Sequence, residues 1–108
     1  MTETTEDILR SLTHEDAVTY VGTVFQAAVG DSTAELKLVA ADRIMPNRPR
    51  STRMKRDPFS LIFHGPAVPR LYQGMFQLQS DVVSFPNIFL VPVGQLEEGG
   101  FEYEAVFT

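Results

Sequence analysis

Asn87-Ile88-Phe89-Leu90-Val91-Pro92-Val93-Gly94 constrains the fold of this chain more than any other stretch. It is the densest apolar run, bounded by Pro86-Asn87 and Gly94, and it is too short for a helix of average length. Extended, it places Phe89, Val91 and Val93 on one face and Ile88, Leu90 and Pro92 on the other. A strand apolar on both faces is ordinarily covered on both, so the run is predicted to be central. Phe89 is expected to be buried deeply enough for its truncation to cost about 3–5 kcal/mol. Pro92 has no N–H to donate, so the ladder is expected to be unpaired or bulged there.

The rest of the chain alternates with the same period of two. Thr23 to Val29 and Ala34 to Ala41 flank the turn Gly30-Asp31-Ser32 and read as a hairpin, with Phe25, Ala27, Leu36 and Leu38 inward. Phe59 to His64 puts Phe59, Leu61 and Phe63 on the core face. Gly74 to Gln79 turns Phe76 and Leu78 in, and Phe101 to Phe107 sets aromatics against glutamates. Asp81 to Asn87 and Gln95 to Gly100 read as turns. Ahead of the strands, Thr13-His14-Glu15-Asp16 spells a capping box for a short helix over 13–20, ended near Gly22. Residues 1–12 form a polar tail or a short helix of their own, with Ile8, Leu9 and Leu12 able to cover a surface. The expected architecture is mainly β: a small antiparallel six-stranded barrel or sandwich with one short N-terminal helix, as a single domain over 13–108.

Composition narrows the function classes. With 108 residues, 44% of them hydrophobic, the chain is long enough to build a core unaided. The absence of cysteine excludes disulfides, thiolate metal sites and cysteine nucleophiles. No apolar run is long enough to span a bilayer, and the acidic start is unlike a signal peptide, so cytoplasmic synthesis without a membrane is expected. The net charge of −5 argues against general nucleic-acid binding. Charge is nevertheless uneven: six of nine Lys and Arg lie between Arg43 and Arg56.

Asp57-Pro58-Phe59-Ser60-Leu61-Ile62-Phe63-His64-Gly65-Pro66, followed by Gln73 to Leu78, Phe89 to Gly94 and Tyr103 to Phe107, carries a resemblance in both order and spacing. Over roughly residues 12–108 the chain resembles a family of small bacterial proteins catalogued as a domain of unknown function, often encoded near phage-tail-collar-like proteins. The resemblance implies an assembly or accessory role, possessing no assigned functional residues. The basic loop lies outside the pattern.

Five features are weighed for chemistry. Ser60 and His64 share a strand face but stand ~13 Å apart along it, too far for a nucleophile and its base. Two histidines distant in sequence, without cysteine, do not spell a zinc site. Glu102 and Glu104 share a face at ~7 Å, a spacing open to paired carboxylates and equally to a solvated strand face. The loop over 45–57 has two prolines and five cations, and its Arg48, Arg50, Arg53, Lys55 and Arg56 suit an acidic partner, including the acidic ends of another copy. It lacks the interleaved aromatics of single-strand binders, and a solvated loop is its other reading. The apolar segment Val68-Pro69-Arg70-Leu71-Tyr72 reads either as a plug over one barrel end or as a contact patch. No catalytic residue, cofactor or metal ligand is assigned. The expected function is a non-enzymatic interaction or assembly module for another protein or further copies of itself. The alternative is a small-ligand or nucleic-acid binder using 48–56. An enzyme would need a concave pocket gathering His64 with Glu102 or Glu104.

Overall fold

Six alternating strands close on themselves. The computed structural model describes residues 11–44 and 58–107. Helix α1 (His14–Thr19) precedes β1 (Val24–Val29), β2 (Ser32–Arg43), β3 (Phe59–Gly65), β4 (Gly74–Gln79), β5 (Ser84–Gln95) and β6 (Phe101–Phe107). Every pairing is antiparallel, and the order β1-β2-β3-β6-β5-β4 closes as a barrel, which decides between barrel and sandwich. The expectations for 1–10 and for the basic loop over 45–57 lie outside the described residues.

Alternation puts the core inside. Phe25 stacks on Phe85 with centroids 5.2 Å apart and meets Phe63 edge-on at 5.8 Å. Phe59 lies parallel to Phe107 at 5.0 Å across the β3–β6 ladder. Leu36, Leu38, Leu61, Leu78 and Leu90 fill the space between these rings and are fully buried. Helix α1 is capped as its sequence predicts: the Thr13 hydroxyl accepts from the Asp16 N–H at 3.1 Å, and the Thr13 N–H donates to the Asp16 carboxylate at 3.4 Å. The helix buries Ala17. His14 sets Nε2 2.9 Å from the Ala41 carbonyl of β2 and its ring edge-on to Phe59.

Three register shifts bend the sheet far enough to close. Val39 is the extra residue of β2 between Leu38 and Ala40, where the partner β3 has none. β5 has two such bulges: one between Phe85 and Ile88, containing Pro86, and one at Val93, beside Pro92. Proline removes a ladder donor, so bulges are where a strand tolerates it. The bulge expected near Pro92 is therefore present. The turn expected over 81–87 is shorter, because β5 already begins at Ser84. Its tight end is the Ser80 hydroxyl, which accepts from the Val83 N–H at 3.1 Å and donates to the Val83 carbonyl at 2.6 Å.

The central run requires a correction. Ile88 and Leu90 are buried, whereas Phe89 is 47% exposed and points outward. In a closed barrel β5 has a neighbour on each side, and among the described residues nothing covers Phe89 on its outer wall. Leu90→Ala is expected to cost about 2–5 kcal/mol and Phe89→Ala less than about 1 kcal/mol, read as the shift in urea unfolding midpoint at constant slope.

Candidate functional site

The strand order dictates an unusual connection. Four connections join strands that are neighbours: β1 to β2, β2 to β3, β4 to β5 and β5 to β6. β3 and β4 are not neighbours, so residues 66–73 must cross the barrel mouth. A crossing chain brings backbone polar groups over an apolar core, and each needs a partner. Leu71 is the residue that goes in: its side chain is buried, and its N–H donates to the Tyr103 hydroxyl at 3.0 Å. Tyr103, on β6, is itself buried. Where 66–73 begins, Gly65 and Gly100 stand back to back. A Cβ on Gly65 would lie 2.5 Å from Leu36 Cδ2, and one on Gly100 would strike the Gly65 carbonyl oxygen. Gly100 also has a φ of +108°, so glycine is required there on both counts.

With Leu71 anchored, its neighbours are held outward. Val68 is 84% exposed and Tyr72 69% exposed. The Arg70 guanidinium lies between two aromatic rings, 5.1 Å from the centroid of Tyr72 and 4.6 Å from that of Phe101. Among the described residues it meets no acid within ion-pair distance. Stacking restricts the guanidinium without engaging its N–H edge, which stays available to a carboxylate. The segment 68–72 thus divides by residue: Leu71 fills the mouth as a plug, while Val68, Arg70 and Tyr72 are exposed. The outer wall of β4–β5–β6 adds further apolar surface. Met75 pairs with Phe89 across β4–β5, and Met75, Phe89, Val93 and Val106 are all exposed. Arg48, Arg50, Arg53, Lys55 and Arg56 lie outside the described residues.

A second, polar arrangement occupies the outer wall of β1–β2–β3–β6. The register aligns Val24, Lys37, His64 and Glu102 across four strands. His64 Nε2 lies 2.9 Å from Glu102 Oε2, a contact between side chains that are each about one-third exposed. Glu104, two residues on, faces Ile62 instead. Ser60 is buried and faces Val106 and Asp42, so it does not meet His64. A groove of about 480 Å³, lined by Val24, Thr33, Glu35, Lys37, His64 and Pro66, opens beside the pair. The His64–Glu102 contact spans 38 residues of sequence and had no local signal. Among the described residues no group of three His, Asp or Glu side chains is placed to hold a metal ion, and no helix is long and apolar enough to cross a membrane.

The model of a family described as a domain of unknown function (DUF6916) matches residues 12–107. The chain belongs to that family. The match begins at buried Leu12 and ends at Phe107, so the DUF6916 domain spans α1 and the whole barrel. No curated protein and no solved structure matches the chain.

Tyr103→Phe isolates the clamp on the crossover. It removes the hydroxyl that accepts from the buried Leu71 N–H while keeping the ring, and should cost about 1–3 kcal/mol. The accompanying measurement is amide hydrogen exchange: Leu71 should lose protection well ahead of the β3–β6 ladder.

Proposed function

We propose that this DUF6916 domain is a non-enzymatic interaction module that docks a protein partner on the barrel mouth crossed by 66–73. The observation that carries the reading is Arg70, stacked between Tyr72 and Phe101 and without an acid partner among the described residues. Tyrosine and arginine are the residue types that anchor interfaces, and anchors contribute most when the free protein already holds them in place. Buried Leu71 supplies that hold from below, and exposed Val68 supplies an apolar neighbour. The partner is an acidic residue beside an apolar one on another protein or a further copy of this chain. The resemblance of the sequence to a family encoded near phage-tail-collar-like proteins favours a partner within a phage-tail-like or surface assembly.

Light scattering during size exclusion tests this, with the chain alone and with the products of neighbouring genes. Association is expected in one of these settings, and Tyr72→Ala and Arg70→Glu should each weaken it by about tenfold or more, an energy of about 1.4 kcal/mol or above. A strict monomer that binds no neighbouring product, or an association indifferent to both substitutions, overturns the reading.

A further inference from the structure

The polar groove on the outer wall borders the crossing segment at Pro66 and has its own chemistry. Glu35 and Lys37 stand two residues apart on the outward face of β2, ~7 Å along the strand, and both line the groove. Opposite charges this close on an exposed face ordinarily have the option of pairing with each other. Here they do not: the His64–Glu102 contact is the ion pair found among the described residues. The Glu35 carboxylate is instead held by Gln26, whose amide donates to Oε2 at 3.3 Å from the facing position on β1. Lys37 sits between Val24 and His64 in the register, with no acid within ion-pair reach among the described residues. His64 is oriented by Glu102 through Nε2, which leaves Nδ1 as the nitrogen not engaged by that contact. Val24 and Pro66 give the groove an apolar portion.

A negative group and a positive group that face one cavity without meeting form a complement for a molecule with both charges. We propose that the groove is a binding site for a free α-amino acid with an apolar side chain. Glu35 takes the ammonium group and Lys37 takes the carboxylate, while His64, held by Glu102, walls the groove beside Lys37. Val24 and Pro66 receive the side chain. A volume of about 480 Å³ lies within the range of small-molecule sites. The charged residues of the groove lie outside the 68–72 patch, and Pro66 is the one lining residue shared with the crossing segment 66–73, so the substitutions that test the groove leave Arg70 and Tyr72 in place.

The test is an amide NMR titration of the full chain with three matched probes: L-leucine, 3-methylbutan-1-amine, which lacks the carboxylate, and 4-methylpentanoate, which lacks the ammonium. Leucine should give saturable shifts centred on Val24, Glu35, Lys37 and His64, with a Kd on the order of 1 mM, and each single-charge probe should bind about tenfold more weakly or worse. Glu35→Gln and Lys37→Met change exposed side chains, so the spectrum away from the groove should be retained while leucine binding falls about tenfold in each. Three results overturn the proposal: no saturable shift with leucine, equal binding of leucine and either single-charge probe, or shifts that survive both substitutions. A variant that loses its native spectrum is replaced by Glu35→Asp or Lys37→Arg, which keep the charge and move it, and unchanged leucine affinity in both would also overturn it.

Discussion

A buried backbone N–H must find an acceptor, and at the mouth of this barrel that acceptor is the Tyr103 hydroxyl. The requirement comes from topology. β3 and β4 are consecutive in sequence but separated in the sheet, so a chain segment has to pass over an apolar interior. Tyr103 satisfies Leu71, Leu71 fills the mouth, and the side chains before and after it are thereby turned to solvent in a fixed arrangement. The two glycines at the same end serve the same packing: Gly65 leaves room for Leu36 and Tyr103, and Gly100 leaves room for the Gly65 carbonyl. The surface that carries the proposed docking function therefore depends on one phenol inside the barrel.

The outer wall shows the opposite economy. Inside, alternation produces an unbroken set of aromatic and aliphatic contacts. Outside, each strand brings one side chain to a shared row, and the row Val24–Lys37–His64–Glu102 gathers residues from four strands. Two kinds of surface result: an apolar one on β4–β5 with Met75 and Phe89, and a polar one on β1–β2–β3 with Glu35, Lys37 and His64. They are carried by different strands of one closed sheet, so each can be altered without touching the core.

Periodicity made much of this legible. Strands such as β3 and β6 alternate cleanly, and their inward residues could be named from the sequence alone. The capping box around Thr13 needed only local spacing. Phe89 was misplaced for a definite reason: when both faces of a run are apolar, alternation has no phase, and nothing in 87–94 says which face is inside. The bulges compound this, since Pro86 and Val93 each shift the phase within β5. At the mouth, Arg70 and Tyr72 stood out by residue type, but Phe101, which completes the stack on Arg70, lies 31 positions from it in the numbering. The His64–Glu102 contact was invisible for the same reason, because only the β3–β6 register brings those residues together.

The barrel is not equally joined all the way round. β3 and β6 pair along their whole length, from Phe59–Phe107 to Gly65–Phe101. β1 meets β4 at Gln26–Gln79 and Ala27–Leu78 alone. That narrow join makes the domain, mechanically, a curled ribbon fastened by a short clasp. Gln26 sits at the clasp and also holds Glu35, so the fastening of the barrel and the charge layout of the groove share a residue.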